Sequence, residues 1–178
     1  MSLKKLDYLS RSQLQVLHNL KGKRNANRVL SNMSQYLSSF RHGKENVYYL
    51  NSKGRDIVSC EKVRKKTQNI EHFIMRNQLY MAVGRPSTWE NEIKVKIKGN
   101  NLICDAKFLI DKKPVFVEVD NEQSMQQNRV KITKYREISQ INSNFYIMWI
   151  TKTDYRKKKL IELCEGLNNQ VYSMNDIL

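Results

Sequence analysis

The chain has 178 residues, room for one medium unit or two small ones, with 32 Lys and Arg against 17 Asp and Glu, a formal charge of +15 and a pI near 9.8. No stretch approaches the roughly 18 consecutive apolar residues of a membrane span, and Cys60, Cys104 and Cys164 are too few and too scattered for a disulfide framework or a zinc site. With no signal-peptide h-region at the start, these features predict a cytoplasmic protein without membrane contact.

The positive charge is uneven. Residues 1–85 hold 17 basic and 5 acidic side chains, whereas residues 86–178 hold 15 and 12. A basic excess confined to one half predicts a unit that meets a polyanion, joined to one with another task.

In chain order, "SRSQLQVLHNL" opens with Ser10 followed three residues later by Gln13, the capping-box spacing of a helix start. Gly22 in "KGK" breaks that helix. The next is predicted from about Arg24 to Leu37, where Ala26, Leu30, Met33 and Leu37 form a core-facing stripe. A second stripe on it, Arg24, Asn27, Arg28, Ser31 and Gln35, consists of side chains that hydrogen-bond base edges or phosphates. A solvated helix face is the bland alternative, but such faces mix both signs of charge, and residues 8–44 contain no Asp or Glu. Two short helices across a Gly-containing turn, the second polar-faced, predict a helix-turn-helix.

"SSFRHGKENVYYL" reads as a β-hairpin turning at His-Gly-Lys-Glu, a wing whose Arg41, His42 and Lys44 would track a phosphate backbone or minor groove. A short helix is expected near Gly54. Residues 61–84 read as one longer helix, ended by Gly84 and Pro86. The boundaries expected are therefore a winged helix-turn-helix over 1–60, a connecting helix over 61–85 and a second domain over 86–178.

In that second domain, Ile93, Val95 and Ile97 alternate with Lys94, Lys96 and Lys98, a strand with one wet face. Its lysines are read as protection of a sheet edge. Gly99-Asn100 and "DKK" at 111–113 supply turns to two further strands. A helix from about Ser124, an apolar strand over 144–151, a helix in "DYRKKKLIELCEGL" and a last strand in "QVYSM" complete an α/β sandwich with a mixed sheet.

The strand "KPVFVEVDN" poses a chemical question, because Glu118 and Asp120 share one face of a strand otherwise built to be buried. Asp105 lies on the preceding strand, within reach of Glu118 if the register permits. Two carboxylates about 4 Å apart repel by roughly 4 kcal/mol at an effective dielectric near 20, so a lysine, a proton or a divalent cation must offset them. Oxygen ligands of this kind favour Mg²⁺ or Mn²⁺.

An acid, a hairpin-length gap and "FVEVD", followed by a helix and an apolar strand, resemble the PD-(D/E)xK nuclease core. With the winged helix in front, the chain resembles the replication-relaxation family of plasmid and mobile-element proteins. The matching stretches are "LSRSQLQVL", "VYYLNSKG", "IEHFIMRNQL", "DAKFLI", "VFVEVDNE" and "KITKY". The resemblance implies that Asp105 and Glu118 are the positions for Mg²⁺ and that a lysine two residues beyond Glu118 activates water. That position is Asp120 here, which leaves Lys107, Lys131 or Lys134 to supply the amine and Glu71 as a further acid.

Two functions follow. The preferred one is a double-stranded DNA-binding protein, an accessory or regulatory factor in replication, DNA relaxation or conjugative transfer. Its expected partners are DNA and other plasmid replication or transfer proteins, with a homodimer left open. The alternative is a Mg²⁺-dependent endonuclease using Asp105, Glu118, Asp120 and Lys131. An RNA-binding regulator ranks below both, for want of an aromatic sheet face.

Overall fold

The structure, a computed structural model, describes residues 2–97 and 100–177 and divides into two units, residues 1–77 and 78–178. It is a mixed α/β protein, with one antiparallel three-stranded sheet and one mixed five-stranded sheet. Among the described residues, no helix is long and apolar enough to cross a membrane.

The first unit runs α1 (Ser2–Leu6), β1 (Leu9–Ser10), α2 (Arg11–Leu17), α3 (Lys23–Asn32), β2 (Leu37–His42), β3 (Glu45–Leu50) and α4 (Ser52–Ile57), and ends within α5 (Ile70–Ala82). The capping box forms: the Ser10 hydroxyl accepts the Gln13 N–H at 3.2 Å, and the Gln13 side chain accepts the Ser10 N–H at 3.2 Å. The β2–β3 hairpin closes on His42 opposite Glu45, with Gly43 at φ +54° supplying the left-handed residue of a two-residue turn. β1 pairs with the other edge of β3, a contact too short to leave a sequence pattern.

Two helix boundaries differ from the expectation. α3 stops at Asn32 rather than Leu37, because Leu37 pairs with Leu50 in the hairpin and the Leu30 and Met33 carbonyls take tightening turns instead. Met33, expected in the core stripe, is therefore 41 % exposed, while Ala26 and Leu30 are buried. Residues 61–69 are not helical either. Val63 is the one apolar side chain of "EKVRKKT" and stands exposed, so this stretch has no face to bury. Its polar groups instead serve the start of the chain: the Tyr8 hydroxyl donates to the Lys65 carbonyl at 2.6 Å, and Arg64 donates to Asp7 at 2.8 and 3.0 Å.

Asp7 is the pivot of this unit. It is buried at φ +69° where α1 turns into β1, and Arg76 on α5 donates to its other oxygen at 3.1 Å. The neighbouring Asn77 amide donates to the Leu6 and Tyr8 carbonyls at 3.0 and 2.6 Å, so α5 holds both sides of the corner. Tyr8, Val47 and Ile70 form the adjoining core, with Phe40, Tyr49 and Phe73 against it.

The second unit contains β4 (Glu90–Ile97), β5 (Asn100–Ile110), β6 (Lys113–Asp120), α6 (Met125–Ile141), β7 (Tyr146–Thr151), α7 (Asp154–Leu163), β8 (Asn169–Ser173) and α8 (Met174–Ile177). The strands lie in sequence order, antiparallel from β4 to β6 and parallel from β6 to β8, which puts β6 at the centre. Asp111 and Lys112 take φ +49° and +65°, the paired left-handed geometry of a two-residue hairpin turn. β4 is an edge strand with Lys94 exposed between half-buried Ile93 and Val95, whereas Lys98 and Gly99 lie outside the described residues. Phe116, Ile147 and Trp149 of the sheet pack under Ile132, Tyr135 and Ile138 of α6 and Leu160 of α7.

Gly54 in α4 offers a direct check on the first unit. A Cβ there would lie 2.1 Å from the Tyr36 carbonyl oxygen, and that carbonyl already accepts the Asn51 N–H at 3.1 Å. Gly54→Ala is expected to cost roughly 1–3 kcal/mol, read by urea unfolding against the parent chain.

Candidate functional site

The first candidate surface grows from α3. Ala26 and Leu30 bury one face of the helix and thereby turn Arg24, Asn27, Arg28 and Ser31 to the outside, where all four are exposed. Asn27 and Ser31 line a groove of about 440 Å³ whose other wall is the hairpin, with Arg41 and Lys44. Sequence reasoning missed two further cations there, Lys23 at the start of α3 and Arg11 at the start of α2. Both precede the stripe pattern, so periodicity gave no signal for them.

Glu45 is the sole acid among the groove's lining residues, and its charge is already engaged. It accepts the Ser12 N–H at 2.8 Å and the Ser12 hydroxyl at 2.7 Å, and pairs with Arg11 at 3.3 Å. A carboxylate at a helix N-terminus is electrostatically favourable, and here it ties the hairpin to α2.

The other expected contact residues are placed differently. Arg28 donates to the Asn25 side chain at 2.9 Å, Gln35 is exposed, and Arg24 is outside the groove lining. His42 pairs with Glu71 of α5 at 2.7 Å, so both groups are engaged within the first unit.

The second candidate site is the row of acids on β6. Glu118 and Asp120 are both fully buried. The hydrogen-bonded pairing of β5 with β6 runs to Ala106 opposite Val117; beyond it, the Asp105 carboxylate accepts the Val119 N–H at 2.8 Å. That bond fixes Asp105 beside Glu118. Lys131 on α6 donates to one oxygen of Glu118 and lies 3.9 Å from Asp105, and the Tyr135 hydroxyl donates to the other Glu118 oxygen at 2.6 Å. Of the three lysines considered, Lys131 is the one set against both acids among the described residues, while Lys134 donates to the Asn101 carbonyl at 3.3 Å.

Asp120 belongs to a separate network. Arg156 of α7 grips it with two bonds of 2.6 and 2.7 Å, Thr151 donates at 2.9 Å and Asn128 at 2.9 Å. A planar guanidinium matched to a carboxylate in this way is a strong structural pair. Asp120 is thereby committed to fastening β6, β7, α6 and α7 together.

The electrostatics follow from burial. Desolvation pushes the Glu118 carboxyl up to about 8; the Lys131 ammonium pulls it back and the Asp105 charge adds to the rise. Burial alone would lower Lys131, but Glu118 and Asp105 outweigh it and hold the amine above its usual range. Burial likewise lifts the Tyr135 hydroxyl, and it lifts the nearby Cys104 thiol to about 12. No three His, Cys, Asp or Glu side chains among the described residues converge as a metal-ligand set. The Asp105–Glu118 pair fits one ammonium, and a divalent ion does not fit beside it.

A basic groove on one unit and a self-paired row of acids in the other thus define a two-part α/β protein. Residues 1–146 match the family described as replication-relaxation, and the chain belongs to that family. Membership points to a role in the replication or relaxation of a plasmid or other mobile element. No curated protein matches the chain. Among solved structures it is similar to protein VC1899 from Vibrio cholerae, at 10 % identity and a TM-score of 0.39, over 83 % of this chain and 39 % of that one. The chain thus spans less than half the length of that protein.

The raised Glu118 carboxyl carries a pH signature. The folded state holds this proton up to about 8, while the unfolded carboxyl releases it near 4.5. Between those values the folded chain binds more protons, so stability falls as pH rises. Lys131, raised above 10.5, contributes nothing in that window. Unfolding midpoints from pH 5 to 8 are expected to decline more steeply in the parent chain than in Glu118→Gln.

Proposed function

We propose that this chain is a double-stranded DNA-binding protein of a plasmid or other mobile element, an accessory or regulatory factor in its replication, relaxation or conjugative transfer. In this reading α2, α3 and the β2–β3 hairpin form a winged helix-turn-helix, and the second unit is a scaffold of nuclease-like build. The observation that carries it is the exposed groove with Asn27 and Ser31 on one wall and Arg41 and Lys44 on the other. A helix with its side chains is about 10–12 Å across, and B-DNA's major groove is about 12 Å wide, enough to admit it.

The division of labour follows from side-chain chemistry. Asn27 presents both a donor and an acceptor and Ser31 a hydroxyl, groups that read base edges. Arg41 and Lys44, on the hairpin, supply charge to the phosphates and set the register of the helix without reading sequence. The large basic excess of residues 1–77 draws a polyanion in over a distance, and that attraction weakens as salt rises.

The test is fluorescence anisotropy of a labelled random-sequence duplex titrated with protein at several salt concentrations. Binding in roughly the micromolar range at low salt is expected, with a linear dependence on the logarithm of salt. Arg41→Ala and Lys44→Ala should each reduce that slope by about 0.9, and the double variant by about twice as much. An unchanged slope in the double variant would contradict the reading. In the same buffers with Mg²⁺, supercoiled plasmid should stay intact; metal-dependent nicking that Glu118→Gln abolishes would put the endonuclease in its place.

A further inference from the structure

We infer that Lys131 is the resident cation of the Asp105–Glu118 pair: its ammonium occupies the place of a divalent ion, and removing it converts the pair into a Mn²⁺ or Mg²⁺ site. The inference concerns the second unit and stands independently of DNA binding by the first.

Three observations carry it. First, the two carboxylates come from different strands yet meet at a single ammonium, which donates to Glu118 and lies 3.9 Å from Asp105. Second, each carboxylate is held by a donor other than Lys131. The Val119 N–H fixes Asp105 at 2.8 Å and the Tyr135 hydroxyl fixes Glu118 at 2.6 Å. Taking away the ammonium therefore leaves both carboxylates in place, the Asp105 oxygen nearest Lys131 being the one that accepts the Val119 N–H. Third, an open groove of about 500 Å³, lined in part by Gln123, Gln127 and Lys134, reaches Lys131 from solvent.

The chemistry of the replacement is simple. One ammonium balances a single carboxylate, and two carboxylates about 4 Å apart repel by roughly 4 kcal/mol at an effective dielectric near 20. A divalent ion balances both. Mg²⁺ and Mn²⁺ accept one or two carboxylates and keep water on their remaining positions, which the open groove can supply. The tethered amine has the advantage of effective concentration, being delivered by α6 whenever the helix is folded. In the parent chain it therefore excludes the metal.

Thermal unfolding in EDTA and in millimolar MnCl₂ tests this on the parent chain, on Lys131→Met, which keeps the apolar stem, and on Lys131→Gln, which keeps a donor without the charge. The parent midpoint should be the same in both buffers. Both variants should unfold earlier in EDTA and gain roughly 5 °C or more with Mn²⁺, and adding Glu118→Gln to either should remove the gain. Direct Mn²⁺ titration followed by water-proton relaxation should show a site in the variants and none in the parent. Two results would overturn the inference: saturable Mn²⁺ binding by the parent chain that Glu118→Gln abolishes, or variants that show no Mn²⁺ response by either readout.

Discussion

Burying carboxyl groups inside a sheet is costly unless donors and cations come with them, and that constraint organises the second unit. Glu118 and Asp120 lie two residues apart on the central strand, both without solvent contact. Each is met by a cation from a later helix, Lys131 from α6 and Arg156 from α7. Both helices belong to the parallel crossovers that follow β6, so the topology delivers a cation to each acid. An unpaired charge at either position would cost several kcal/mol, on the scale of a domain's whole stability. The first unit uses the same device at Asp7, where Arg64 and Arg76 converge on a buried acid at a corner of the chain.

That shared device separates the two halves in functional terms. In the second unit the acids and bases of the candidate site neutralise one another, and in the first Glu45 is engaged by Arg11 and Ser12 while Lys23, Arg41 and Lys44 face solvent. A surface with uncompensated positive charge attracts a polyanion, whereas an internally balanced cluster holds a fold together.

Much of the fold could be read from local pattern. Ser10 with Gln13 marked the start of α2, the alternation around Lys94 marked an edge strand, and the apolar run ending at Thr151 marked a strand interior to the sheet. What escaped depended on partners distant in sequence. Residues 61–69 read as helix because nothing local shows that Tyr8 and Asp7 claim Lys65 and Arg64 across 57 positions. The partner of Asp120 was hidden for the same reason, as Arg156 lies 36 residues further on. Lys131 could be narrowed to one of three lysines, but choosing among them required knowing where α6 crosses β6.

If the proposed function holds, DNA meets α3 and the hairpin and leaves the buried acids untouched. The most direct measurement is the change in backbone amide NMR signals as a short duplex is added to isotope-labelled protein. Perturbations confined to Lys23–Asn32 and to the turn around Gly43 are the predicted result. Changes concentrated instead on Asp105, Glu118 and the Lys131 face of α6, with α3 silent, would contradict it.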